Sequence, residues 1–508
     1  MNETGSLWIE YVVVGGYLFF LIAVGFAIRK FSSDDSDYFR AGCKGTWWLV
    51  GTSAFMHMFS AWTFTGAAGA AFEAGWSDMV IFAANVLVFF LTFLFLGPWF
   101  RQLRAVTGPE IIRLRFGPAT QQFYAWMQAF LGLLYAAVWL WGLATFTAAV
   151  FDFKPIAEAV GLVSSEGEAL EVQLVIIVTG IIVVAYAVTG GSWAVMATDF
   201  LQSLILLPMT VLVAFLCLRE VGGLSSMLDM IHEQDLTERF SLIKSTETLQ
   251  EYAEEFPLGK YGLWFALAAI IYKVFVYSTL LTAQRYFGVK DGKEAKKAGL
   301  LAAILMAAGM LIWFIPPVVA RLTMHDEVMG QEMSKPEEAS YAVIALALLP
   351  IGMVGLMVVA MLSATMSSMD SGINRNSAIF VRDIVPGICR LFALREPSDR
   401  ARFVLAQIVS AVFGICIICI ALYFAGGDSK GVFEWMLDVG GLVALPMATP
   451  LALGFFIRKA PWWAAVASVL VTMVPSTLAF LAESEWMAEQ VLKAKISEDL
   501  LSHPLTLG

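Results

Sequence analysis

The sequence predicts an all-α polytopic membrane protein of about twelve transmembrane helices, and three observations carry the prediction. Of 508 residues, 59% are hydrophobic and 15% charged, whereas a soluble globular chain is nearer half apolar and a quarter charged. Twelve stretches are apolar over about the 20 residues a helix needs to cross a bilayer. The Lys and Arg residues between them alternate in density from loop to loop, as the positive-inside rule requires.

The stretches lie near 9–28, 47–71, 77–98, 119–150, 173–190, 194–218, 261–284, 298–321, 341–381, 403–426, 432–457 and 461–482. The first is flanked by Glu3 and Glu10 and followed by Arg29-Lys30. It reads as a span with its N-terminus outside, not as a signal peptide. The second is interrupted by Ser60, Thr63, Thr65, Gly66 and Gly69. Such residues serve as a packing face or allow local unwinding where backbone lines a cavity. Broken helices carry the substrate and ion sites of secondary transporters. The loop between the third and fourth holds Glu110, Arg113 and Arg115. Gly190-Gly191 mark a tight turn between the fifth and sixth, with Asp199 about two turns into the sixth. The seventh follows an acid-rich loop at 219–260. It places Lys273, Tyr277, Ser278, Thr279 and Thr282 on one helix, fit to be the inverted partner of the second. The eighth is plain, but the ninth ends in the most polar stretch of any span. There Ala364, Ser367, Ser368 and Ser371 follow i, i+3, i+4, i+7 spacing and share one face, beside Asp370, Asn374 and Arg375. Small-residue helix packing is one reading of that stripe; beside an acid, an ion path is the other. Hydroxyls, carbonyls and a carboxylate offer a hard cation such as Na+ the oxygens it binds. Glu434 and Asp438 lie near the outer end of the eleventh.

With the N-terminus outside, inner loops hold twenty of the 32 Lys and Arg, and Arg375 makes 21; outer segments hold ten, and Lys273 sits within a span. The expected placement is multi-pass in the plasma membrane (the inner membrane of a bacterium), with both termini outside. The net charge of −10 is sorted by side, and no basic surface suits a nucleic acid. No Walker A sequence is present, and His232-Glu233 lacks the second histidine of HExxH. Four histidines, and five cysteines of which only Cys416 and Cys419 stand in CxxC spacing, within an apolar span, argue against haem, zinc or a disulfide framework. His57 reads as a hydrogen-bonded core histidine. No enzyme active site is expected, and no cofactor beyond a coupling ion.

Four stretches together resemble the sodium/solute symporter family: TGPEIIRLRFG at 107–117, TGGSWAVMATDFLQ at 189–202, AQRYFGVKDGKEA at 283–295 and SATMSSMDSGINRNSAIFVRD at 363–383. The resemblance covers roughly residues 9–460. It implies a leucine-transporter-type five-plus-five inverted repeat with one extra helix before and one after. The expected organisation is an outer tail, extra helix and inner loop at 1–46, a first repeat at 47–218, the acidic outer loop at 219–260, a second repeat at 261–457, and a last helix with an outer tail at 458–508. The family's common sodium site falls on the carbonyls of Met56, Phe59 and Ala364 and the hydroxyls of Ser367 and Ser368. A second cation site in some members falls on Asp199, Asp370 and Ser371. Asp370 departs from the family, which has a neutral hydroxyl residue there. It is expected to strengthen cation binding, take a proton, or pair with Lys273 or Arg375. Trp62-Thr63 stand where sugar carriers have Glu-Gln, so an amino acid or organic acid is favoured over a sugar. Ser60, Trp62, Thr63, Lys273, Tyr277 and Thr279 are the expected substrate contacts.

The resulting expectation is Na+-coupled symport of a small organic solute by alternating access, with Na+, the solute and the lipid bilayer as partners. The alternatives are a proton-coupled symporter of the same fold using Asp370 or Asp199, and a solute receptor.

Overall fold

The computed structural model describes residues 3–28, 35–150, 170–252, 256, 260–331, 335–426, 440–457 and 459–483. Glu434, Asp438 and the segment after 483 lie outside the described residues. Those described are almost wholly helical, with only two isolated β-bridges, Gly45–Val289 and Lys244–Gly262.

Helix α1 spans Glu3–Ile28. Helix α2, Trp47–Met58, stops where Phe59 turns extended (φ −114°, ψ 114°). A short turn at Ala61–Phe64 and a second break at Thr65 (φ −115°, ψ −86°) lead into α3, Gly66–Ala74. Helix α4, Met79–Leu91, runs on through a π-turn to Gln102. Then come α5, Pro118–Val150, and α6, Leu170–Glu220, kinked at Gly191. The second half comprises α7 (Leu263–Tyr277), α8 (Gly292–Trp313), α9 (Ile315–Thr323), α10 (Ser340–Leu348), α11 (Met353–Ile379), α12 (Asp399–Ala425), α13 (Leu445–Leu453) and α14 (Ala464–Glu483). Among the described residues seven helical stretches are long and apolar enough to cross a membrane. Four shorter apolar ones lie in α1, in α7, at 440–453 and in α14.

Two local features show why the chain bends where it does. Gly191 has φ 59° and ψ −159°, and a Cβ there would lie 2.7 Å from the Tyr38 carbonyl oxygen, so only glycine fits. The stretch 341–381, expected as one span, is two helices. Pro350 cannot donate a backbone hydrogen bond and holds Leu349 extended (ψ 135°), and Gly352 turns left-handed (φ 86°) before α11 begins.

Helix α11 is the centre of the bundle. It packs most extensively on α6 and also meets α5, α1 and α12, and between Gly355 and Ile379 almost every residue is buried. By contrast α12 exposes Val404, Ile408, Val412 and Ile415 along one face, a stripe that suits lipid. Helix α1 is fastened to the start of α11: the buried Glu10 carboxylate accepts hydrogen bonds from the Gly352 and Gly355 amides. These are two of the amides that a helix start leaves unpaired. At the end of the bundle richest in Arg and Lys, Gly45 and Lys290 exchange backbone bonds with the opposite strand of chain (Gly45 N to Gly288 O, 3.0 Å; Lys290 N to Gly45 O, 3.1 Å). At the other, acidic end, the 219–262 loop docks on α3. Lys244 Nζ donates to the Ser77 hydroxyl (2.9 Å) and to the carbonyls of Ala74 (3.2 Å) and Arg239. Arg239 Nε donates to Glu73 O (2.7 Å). Burial, helped by the nearby Arg239 charge, pushes the Lys244 ammonium down to about 8.

Candidate ion and solute site

The break after α2 lies against the hydroxyl stripe of α11. Ser368 Oγ donates to His57 O and Ala364 O, each at 3.3 Å. Phe59 N donates to Met56 O at 3.2 Å. Met56, Phe59, Ala364, Ser367 and Ser368 are thereby gathered at one place, all fully buried. Ser367 lies beside Asp199. Yet Ser367 Oγ and Asp199 Oδ1 are buried without a hydrogen-bond partner among the described residues. Desolvated oxygens of this kind are costly unless something positive satisfies them. The donor set is one that a small hard cation accepts.

Asp199, Asp370 and Ser371 form the next layer. Asp199 Oδ2 accepts from the Ser53 hydroxyl of α2 and faces the Arg285 guanidinium at 3.4 Å. Arg285 also donates to Ser53 O at 2.8 Å. Asp370 Oδ2 accepts from Tyr186 OH (3.1 Å) and Oδ1 from Ser371 Oγ (3.4 Å). Among the described residues Asp370 pairs with neither Lys273 nor Arg375, so the ion pair considered from the sequence does not form. Tyr17 of α1 sits within the same network, its hydroxyl accepting from Ser363 (2.7 Å) and Gln202 (3.1 Å).

Beside the break is a cavity of about 350 Å³, within the range of small-molecule sites. Of the six expected substrate contacts, Ser60, Trp62, Lys273 and Tyr277 line it; Thr63 and Thr279 do not. Thr279 is occupied in the unwound turn after α7, its hydroxyl donating to Val276 O (3.0 Å) and accepting from Leu281 N (3.4 Å). Lys273 Nζ lies 4.9 Å from the Tyr277 ring centre and 5.9 Å from that of Tyr272. The sequence reading missed Gln128, Tyr135 and Trp139 of α5 and Tyr272 of α7. Tyr135 and Tyr272 share a hydrogen bond of 2.8 Å between their hydroxyls. In an apolar span, aromatic residues give no signal that separates lining from packing. A second cavity, of about 60 Å³, lies toward the basic end, where Arg40 and Arg285 line it. His57, Thr282 and Arg375 border both cavities. His57 is therefore a wall residue: its ring stands edge-on to Trp139 at 5.7 Å, and its Nδ1 has no partner among the described residues.

The sodium:solute symporter family model matches residues 38–471. The chain belongs to that family. It is a multi-pass membrane transporter, and its activity is Na+-coupled symport of a small organic solute. It is 24% identical over 462 residues to the sodium/sialic acid symporter NanT of Aliivibrio fischeri, covering 89% of this chain and 84% of that protein. It is 23% identical over 469 residues to the sodium/sialic acid symporter SiaT of Proteus mirabilis, covering 92% and 88%. The sodium/glucose cotransporter 1 of Mus musculus is 25% identical over 445 residues, with 83% and 64% covered. The structure of a Na+-coupled sialic acid symporter, solved substrate-bound and outward-open, superposes with a TM-score of 0.74 at 23% identity, covering 94% of this chain and 91% of that one. Mhp1, a nucleobase-cation-symport-1 family transporter, gives 0.53 at 14% identity, covering 90% and 96%. The fold is the leucine-transporter-type five-plus-five inverted repeat, with one helix before the repeats and one after.

Proposed function

We propose that the transported solute is an organic acid or amino acid, held in the cavity beside the α2 break, and that Na+ binds where that break meets Ser367 and Ser368. The observation that carries this reading is the pair of orphaned oxygens, Ser367 Oγ and Asp199 Oδ1, next to unwound backbone. Two cations on the cavity wall, Lys273 and Arg375, with no lining acid among the described residues, support an anionic solute, as does the likeness to sodium/sialic acid symporters, since sialic acid is an organic acid. In this reading the basic end faces the cytoplasm across the plasma membrane, both termini are outside, and the chain has no enzymatic activity.

The driving force depends on the solute's charge. One charge crossing ~100 mV contributes ~2.3 kcal/mol, and a tenfold Na+ gradient adds ~1.4 kcal/mol. Together they support about 400-fold accumulation of a net-neutral solute, such as a zwitterionic amino acid, per sodium; a monoanion carried with one Na+ moves no net charge, so the gradient alone drives it, about tenfold per sodium. Coupling requires that Na+ bind one conformation better than the other. The α2 break and α11 supply that if their separation differs between states. The test is uptake into proteoliposomes with Na+ or K+ outside: Na+-dependent accumulation of a carboxylate solute supports the reading, and equal uptake in K+ refutes it. Proton coupling is a second reading, favoured by the buried Asp370, which lies in the field of Asp199 and makes no ion pair among the described residues. Uptake driven by a pH gradient without Na+ would select it.

A further inference from the structure

Among the described residues the central cavity is lined by positive charge without a matching acid. Lys273 and Arg375 line it, and Arg40, Arg285 and Arg375 line the smaller one. Among the described residues no acidic side chain lines either. Two of these cations are balanced nearby. Arg285 pairs with Asp199. Lys273 lies within electrostatic reach of Asp78, which is buried with neither carboxylate oxygen hydrogen-bonded. Among the described residues Arg375 has no acidic partner. The titratable groups acting on it are Arg285, Tyr277 and Tyr135, and none is an acid. Asp370 is close in sequence, but five residues turn an α-helix through about 140°, and it is spent on Tyr186.

We propose that Arg375 is the counter-ion for the substrate's carboxylate, and that the substrate is a small organic monoanion whose acidic end docks where the two cavities meet. This rests on the symport reading above and names the solute class. A charge held within a membrane span is expensive and needs an anion. A guanidinium presents a planar fork that matches a carboxylate with two hydrogen bonds. The ring-lined remainder of the cavity, with Tyr135, Trp139, Tyr272 and Tyr277, takes the uncharged part of the molecule. Seven residues separate Ser368 from Arg375, so both lie on one face of α11, about 10 Å apart. The ion and the anion would thus be bound on one helix, so a movement of α11 between states would change both sites together.

The experiment is thermal unfolding of the purified full chain in Na+ and in K+, with three carboxylates (lactate, phenylacetate and N-acetylneuraminate) and the neutral amide of each. Wild type should be stabilised in Na+ by at least one carboxylate and not by its amide. Arg375→Gln should need about 10- to 100-fold more of that carboxylate, the loss of a charge-assisted contact, and Arg375→Lys should fall between. Both variants should keep the stabilisation given by Na+ alone, which shows them folded. An amide as effective as its acid, an unchanged response in Arg375→Gln, or no protection by any carboxylate overturns the assignment. These outcomes leave the symport reading standing if Na+ alone still stabilises the wild type; loss of that effect refutes the symport reading itself.

Discussion

Ser367 and Ser368 are neighbours with the same side chain, yet the structure assigns their alanine variants opposite phenotypes. Ser368 Oγ is bonded to His57 O across the helix break. Ser368→Ala gives up that bond whether or not an ion is present, a loss of about 1 kcal/mol. Ser367 Oγ has no partner among the described residues. Ser367→Ala therefore gives up only the approach of its hydroxyl to Asp199 and removes a desolvated hydroxyl, so in K+ it should be near neutral and cost less than Ser368→Ala. In Na+ the same variant lacks a ligand oxygen. A bond to a charged group is worth about 1.5–3 kcal/mol, or roughly 10- to 100-fold in Na+ affinity. With Na+ at 100 times the wild-type Kd, the ion stabilises wild type by about 2.7 kcal/mol; tenfold weakening leaves about 1.4 and a hundredfold about 0.4 kcal/mol. The assay is thermal unfolding along a Na+ titration in which K+ holds the ionic strength fixed. A Ser367→Ala protein that is destabilised in K+ as much as Ser368→Ala, or that keeps the full Na+ response, refutes the reasoning.

Other outcomes follow from the same contacts. Glu10→Leu leaves the Gly352 and Gly355 amides without their acceptor, so the melting temperature should fall by the equivalent of about 2–4 kcal/mol in K+ as in Na+. Gly191→Ala should block folding or expression, because it forces a Cβ against Tyr38 at positive φ; normal yield would contradict that. Lys244 has a folded pKa of about 8 against an ordinary 10.5. Between those values the unfolded chain holds more protons, so stability should rise from pH 8 to pH 10, by at most about 3 kcal/mol. Lys244→Met should flatten that rise, as measured by thermal unfolding at the two pH values.

Much of the fold was legible because membrane spans obey composition and length. The α2 break showed in Ser60, Thr65 and Gly66, and the α11 stripe in its i, i+3, i+4, i+7 hydroxyls. The split at Leu349–Gly352 was hidden, since Leu349 and Pro350 extend an apolar run and hydropathy cannot register a missing amide. Asp199 read as an acid near a glycine turn, but its partners, Ser53 and Arg285, stand 146 and 86 residues away. Thr63 and Thr279 share residue type and span with true cavity-lining neighbours and differ from them only in direction. Arg375 was visible as a charge in a span; what could not be read was that its neighbours are cations and tyrosines.

In this reading Na+ binds between the α2 break and α11. Equilibrium binding of radiolabelled sodium to the purified chain, by scintillation proximity, tests it without knowledge of the solute. Binding should be saturable, displaced by excess Na+ and not by K+, and weakened about tenfold or more in Ser367→Ala. Binding that is absent, non-saturable, or unchanged in Ser367→Ala would contradict it.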